Sequence, residues 1–232
     1  MEKTKPKKNL YTTDFNLMRE ENCHHKLINN KIQPYFDNLE KHLVGYIEKS
    51  TYVVGCVAWL TNRNIIEALE NISGAKIIIN KEEFLSSKMI IGKKFYYKCL
   101  RGRYNDIPDM FASNCLCCSK LMMNCDCFKK IFGTINNLLE SNNGAILTCG
   151  IVNNFSKMHH KFLIFFDSKI NPTGLWTGSY NLSNTSNFSL ENALYITDEG
   201  VINEYIKEFI AIYPYSEPYN WNSGILSAPI GD

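Results

Sequence analysis

His159 and Lys161 stand two residues apart at the head of an apolar run, and Ser179, Asn181 and Glu191 follow in the next segments. A strand sends alternate side chains to alternate faces, so this spacing predicts an imidazole and an ammonium on one side. The chain turns back through Asn171-Pro172-Thr173-Gly174, and the returning strand carries the Ser179 hydroxyl and the Asn181 amide toward them. An imidazole that attacks or takes a proton, a cation and small neutral donors suit a substrate with a negatively charged tetrahedral centre. The simplest such substrate is a phosphodiester.

His159-x-Lys161, then Gly178-Ser179-x-Asn181, then Glu191 resembles the HxK…GSxN signature (the HKD motif) of the phospholipase D superfamily. The resemblance is to the branch with a single motif per chain, which includes bacterial endonucleases and the mitochondrial cardiolipin hydrolase/Zucchini group. The first half also holds His24-x-Lys26, but no GSxN follows it there, so the paired signature occurs once in the chain. The resemblance implies two-step displacement at phosphorus. His159 attacks and forms a phosphohistidine, and a second histidine protonates the leaving oxygen and then activates water. Lys161, Ser179 and Asn181 hold the non-bridging oxygens, and Glu191 orients the nucleophilic ring. No cofactor is implied for catalysis. A homodimer is implied, with His159 of each subunit in a shared site. Alternation sends the adjacent His160 to the opposite face, where it reads as a hydrogen-bonded structural residue. One departure concerns Asp167. The family places an acid five residues after the lysine, where this chain has Phe166. Either the strand end carries a bulge that returns Asp167, counted with the catalytic set, to the hairpin, or Asp167 has lost the family's structural role.

The elements that must position these groups follow from periodicity. Leu39, Leu43, Tyr46 and Ile47 recur at helical spacing. Residues 52–60 form an unbroken apolar run that predicts a strand covered on both faces, with Cys56 and Trp59 in the core. Thr61-Asn62 caps a short helix with Ile65, Ile66 and Leu69 inward. Residues 76–80 and 145–150 read as further buried strands, 128–140 as an amphipathic helix and 193–197 as another strand. A last helix starts at Asp198-Glu199 and turns Val201, Ile202, Tyr205, Ile206, Phe209, Ile210 and Tyr213 inward. The expected fold is α/β, a mixed central β-sheet flanked by helices, in one domain with a Cys-rich insertion. The boundaries are a flexible basic arm at 1–30, the phosphodiesterase domain at 31–213 with its insertion at 81–127, and a surface tail at 214–232.

Within the insertion, Lys93, Lys94, Tyr96, Tyr97, Arg101 and Arg103 interleave cations with aromatic rings, which suits unpaired nucleic acid. The alternative is a strand or loop whose long side chains cover apolar surface. Cys115, Cys117, Cys118, Cys125 and Cys127 follow, a density of thiols that suits structural zinc or a loop of free thiols. Some Zucchini-like enzymes carry a zinc-binding insertion ahead of their catalytic motif. Cys23-His24-His25 is capable of metal binding, but adjacent residues converge poorly on one ion.

The 232 residues carry a net charge of +2, so any nucleic-acid surface must be local. Nine cysteines without a secretory leader favour a reducing compartment over a disulfide framework. The charged start MEKTKPKKNL is not a signal peptide, and no apolar stretch reaches the roughly 18 residues of a transmembrane helix. The expectation is an intracellular, cytoplasmic protein without a membrane anchor. The expected activity is endonucleolytic cleavage of single-stranded DNA or RNA. The alternatives are a phospholipase D-type lipid hydrolase acting on a cardiolipin-like phospholipid, and an inactive nucleic-acid- or zinc-binding module.

Overall fold

The computed structural model describes residues 30–82, 85, 94–133, 144–151 and 157–219. The arm at 1–30 lies outside the described residues except for its last residue, as do Cys23-His24-His25, Lys93 and residues 134–140 of the expected amphipathic helix.

In chain order the elements are β1 (Ile32–Tyr35), α1 (Leu39–Glu48), β2 (Tyr52–Val57), α2 (Arg63–Glu70), β3 (Gly74–Asn80), α3 (Lys94–Asp106) and α4 (Asp126–Phe132). They continue with β4 (Ile146–Cys149), β5 (Lys161–Phe166), β6 (Pro172–Gly178), β7 (Ala193–Ile196), α5 (Glu199–Ile212) and β8 (Glu217–Pro218). Among the described residues, eight strands join one sheet in the order β1-β7-β6-β5-β2-β3-β4-β8, with β1 and β8 outermost of these. Strands β2, β3 and β4 run parallel, and every other pairing is antiparallel. This is the mixed α/β sheet expected from the sequence.

Alternation along β5 shows how the sheet builds two cores. Leu163 and Phe165 face one core, with Leu43 and Ile47 of α1, Ile65, Ile66 and Leu69 of α2, and Leu100 and Tyr104 of α3. Phe162, Ile164 and Phe166 face the other, with Phe128 and Phe132 of α4 and Ile202, Ile206 and Phe209 of α5. Strands β2 and β3 are buried at every position, as expected for strands covered by helices on both faces. Asn62 caps α2 as expected, its Oδ1 accepting from the N–H of Asn64 and Ile65 at 3.0 and 3.1 Å. Asp198 caps α5 in the same way, through the N–H of Val201 at 3.2 Å.

Several expectations need correction. Trp59 lies beyond the end of β2 and is half-buried, because the strand stops at Val57. Val201 of α5 is exposed rather than inward. The turn between β5 and β6 is Asp167–Asn171, and Pro172 already begins β6. Strand β1 was not foreseen. The tail does more than wrap the surface, since Glu217 and Pro218 pair with Thr148 and Leu147 of β4. Glu217 also receives the ammonium of the fully buried Lys81. The stretch 94–104 is neither strand nor loop but part of α3. Tyr97, Leu100 and Tyr104 recur at helical spacing and pack on the first core, and their aromatic and aliphatic bulk supplies the helix's inward stripe.

Lys76 places an ammonium inside the sheet. It reaches both oxygens of Asp109 at 3.0 and 2.9 Å and the carbonyl of Gly144 at 2.7 Å. Burial lowers its pKa, and the Asp109 charge opposes that shift. The pair ties β3 to the segment leading into the cysteine-rich loop.

Candidate active site

The catalytic candidates gather at one end of the sheet. Val57, the last residue of β2, lies opposite Lys161, the first of β5. The next step along is held by the Ala58 N–H donating to the His160 carbonyl at 2.8 Å. Before β5, the Met158 N–H donates to Asn80 Oδ1 at 3.1 Å at the end of β3. Asn80 Nδ2 and Trp59 Nε1 both donate to Glu82 Oε1, at 2.6 and 3.2 Å. The indole of Trp59 meets the His159 ring edge-on at 5.5 Å. Trp59, Asn80 and Glu82 therefore support His159, and none was singled out from the sequence as a site residue. The available signal was their polar groups just past the carboxyl ends of two parallel buried strands, where α/β sheets place ligands.

His159 and Lys161 share a face as their spacing predicts. The Lys161 ammonium lies 3.2 Å from His159 Nδ1 and 3.4 Å from Nε2, and donates to the His159 carbonyl at 3.1 Å. Partial burial lowers the His159 pKa, and the charges of Lys161, Lys157 and His160 push it the same way. Both effects favour the neutral form of the ring. Burial also lowers the Lys161 pKa, while the charge of Glu191 raises it.

The returning strand closes the site. Gly178 ends β6 against the backbone of Asn192 and Ala193, and any Cβ there would run into the Asn192 carbonyl. The Ser179 N–H donates to that carbonyl at 3.0 Å, and the Asn192 N–H donates to Ser179 Oγ at 3.0 Å. Ser179 Oγ donates to Glu191. The carboxylate expected to orient His159 is therefore bonded to the serine, and the ring is flanked by Lys161 and Trp59. Asn181 Oδ1 is buried without a hydrogen-bond partner among the described residues. His159, Lys161, Ser179 and Asn181 line a common cavity of about 410 Å³.

His160 is hydrogen-bonded as expected, its Nε2 3.0 Å from Glu208 of α5. Its ring nevertheless lines the same cavity, because the cavity opens over the strand end toward Tyr205 of α5. Asp167 is not brought to this cavity. Strand β5 separates them by roughly 20 Å at about 3.3 Å per residue. The bulge does occur, as a register shift between Phe165 and Phe166. Asp167 uses it to cap the hairpin, accepting from the N–H of Lys169 and Asn171 at 2.8 Å and from Asn171 Nδ2 at 2.9 Å. These bonds hold Ile170 in a left-handed conformation at φ 64° while its side chain stays buried. Asp167 thus stands in the hairpin turn, as the bulge alternative expects, and away from the cavity that His159, Lys161, Ser179 and Asn181 line.

Part of the expected substrate-binding stretch is engaged within the fold. The Arg103 fork pairs with Glu70 at 2.8 and 2.7 Å and donates to the Arg63 carbonyl at 3.3 Å. The Tyr104 hydroxyl, fully buried, donates to the Leu60 carbonyl. Tyr96 and Tyr97 are half-buried and meet edge-on at 5.2 Å. Arg101 is half-buried, and its carbonyl accepts from Tyr219 at 3.1 Å. Lys94 begins α3.

The cysteines do converge. The sulfurs of Cys115, Cys117, Cys118 and Cys125 lie within 4.8 Å of one another. Cys127 touches the group through Cys117 at 3.4 Å. Cys115 and Cys125 are buried, and all five thiols are free. Burial opposes ionisation of Cys125, but the N–H of Phe128 and the neighbouring thiols outweigh it and bring the thiol down to about 6.

No family model matches the chain. It is 60% identical over 213 residues to the uncharacterized protein L381 of Acanthamoeba polyphaga mimivirus, covering 92% of this chain and 76% of that protein. Among solved structures it is similar to the phospholipase D family member Nuc from Salmonella typhimurium, at 14% identity and a TM-score of 0.47. That likeness covers 82% of this chain and 98% of the other. It is also similar to NucT from Helicobacter pylori, at 15% identity and a TM-score of 0.48, covering 81% of this chain and 98% of that one.

The arrangement around His159 makes a direct expectation for its titration. By NMR, the ring should titrate below the usual histidine value of about 6.5. Lys161→Met should move it upward, because a like charge has been removed. An unchanged value in the variant would mean that the ammonium does not act on the ring.

Proposed function

The chain belongs to the family of the mimivirus protein L381, and we propose that it is a phosphodiesterase of the phospholipase D superfamily that cleaves single-stranded nucleic acid without a catalytic metal. The observation that carries this reading is the His159 imidazole held 3.2 Å from the Lys161 ammonium in one cavity with Ser179 and Asn181. A ring nitrogen of His159 attacks phosphorus, forming the P–N bond as the P–O bond to the leaving group breaks. The leaving oxygen takes its proton from a second histidine. That histidine then removes a proton from water, the hydroxide attacks phosphorus, and the P–N bond breaks to release His159 and the phosphate product. Lys161 offsets charge on the non-bridging oxygens, and Asn181 adds amide hydrogen bonds. Glu191 fixes the Ser179 hydroxyl at the rim.

Nucleic acid is favoured by the half-exposed indole of Trp59 against His159, an aromatic surface beside the scissile position for stacking a base. Purified protein should cleave labelled single-stranded oligonucleotides in EDTA. His159→Ala should lower turnover by roughly 10³-fold or more while keeping oligonucleotide binding. On the acid side, wild-type activity should rise with pH as His159 loses its proton. If cardiolipin liposomes release phosphatidic acid while oligonucleotides stay intact, the lipid reading replaces this one. Full activity in His159→Ala would sink the mechanism.

The second histidine is supplied by a second copy of the chain in a homodimer. Phe188 and Leu190, exposed at 70 and 53%, precede Glu191 at the catalytic end and provide apolar contact area for that partner. Phe188→Asp with Leu190→Asp should shift the protein from dimer to monomer in sedimentation and remove turnover together. An active wild-type monomer would rule the shared site out.

The thiol quartet fits structural zinc. With Zn–S bonds of about 2.3 Å, tetrahedral sulfurs stand about 3.8 Å apart, so the Cys115–Cys117 and Cys115–Cys125 pairs, at 2.9 and 3.2 Å, would open to admit the ion. Cys115, Cys117, Cys118 and Cys125 would hold it, with Cys127 as a fifth, neighbouring thiol. When bound, zinc supplies a cross-link between the loop and the start of α4. Native mass spectrometry should find one zinc per chain, lost in Cys115→Ser together with a lower melting temperature. A metal-free wild type would leave the quartet as plain thiols.

A further inference from the structure

The segment carrying Ser179 and Asn181 is tied to a carboxylate far away in the chain. Glu40 of α1 is half-buried and accepts from the side-chain amides of Asn62, Asn64 and Asn187. Asn62 and Asn64 lie at the start of α2, and Asn187 belongs to the 3-10 turn Asn184–Phe188 that follows the catalytic loop. Asn187 Oδ1 accepts in turn from the Tyr180 hydroxyl at 2.7 Å. Tyr180 sits between Ser179 and Asn181 and is fully buried. From the other side, the N–H groups of Thr61 and Asn62 donate to the Leu182 carbonyl at 2.8 and 3.0 Å.

An ionised carboxylate is an acceptor only, with about four lone-pair positions, so it can take three amide donors at once. Burial alone would raise the Glu40 pKa, but the amides of Asn64, Asn62 and Asn187 outweigh it and lower the value. The group is therefore charged at neutral pH. Glutamine in its place offers one acceptor oxygen and turns an NH₂ toward groups that are themselves donors.

We propose that Glu40 is the positioning residue of the catalytic loop: it draws α1, the start of α2 and the 184–188 turn onto one charge, and so sets where Ser179 and Asn181 stand. Its effect on turnover rests on the phosphodiesterase reading; its effect on loop order rests on these contacts alone. A displacement of about 1 Å at a reacting centre lowers rate far more than affinity.

The test compares Glu40→Gln with wild type in the full chain. Hydrogen exchange followed by mass spectrometry should show faster exchange confined to residues 179–188, with β2, β3 and β5 unchanged. On single-stranded oligonucleotides, kcat should fall roughly 10- to 100-fold with KM within about threefold. Adding Asn187→Asp should restore much of both, because the introduced glutamine amide then donates to a carboxylate that still accepts from Tyr180. Unchanged exchange at 179–188 in Glu40→Gln would overturn the proposal, as would a folded double variant with no recovery of loop protection. If wild type cleaves no phosphodiester, the phosphodiesterase reading fails, and the exchange measurement still decides the role of Glu40.

Discussion

The pairing of β5 with β2 on one side and β6 on the other is the constraint on which the rest of the structure depends. Every residue of β5 after Lys161 is buried, and its alternation serves two cores at once. A slip of one residue would exchange those cores and turn His159 and Lys161 away from their cavity. The chemistry is thus placed by apolar packing that extends well below it. Gly55 of β2 allows this pairing, because a Cβ there would strike the Phe162 carbonyl.

The central part of this arrangement was legible in the sequence because it is written in strong local signals. Unbroken apolar runs marked the buried strands, Asn62 announced the cap of α2, and a two-residue spacing placed His159 beside Lys161. What stayed hidden depends on distant partners. Strand β1 is four residues long and exists through its pairing with β7, and β8 is shorter still. The cations and tyrosines of α3 looked like a surface for nucleic acid, yet Arg103 is matched by Glu70 and Tyr104 by a backbone carbonyl. Neither partner is near in sequence. Glu40 gave no local hint either, since its three asparagines come from two later segments.

Asp167 follows the bulge beside Phe166 at the end of β5. Its carboxylate organises the hairpin turn with three donors. Its contribution to the site is indirect: it fixes where β6 begins, and Gly178, Ser179 and Asn181 follow from that start.

The outermost strands of the sheet bear on how this protein can associate. Each carries a proline, Pro34 in β1 and Pro218 in β8, and proline has no N–H to offer an incoming strand. Among the described strands, each proline leaves a gap in the donor row of its strand, which weakens that strand as a template for sideways pairing. Strand addition by another chain is correspondingly less favourable at these two strands.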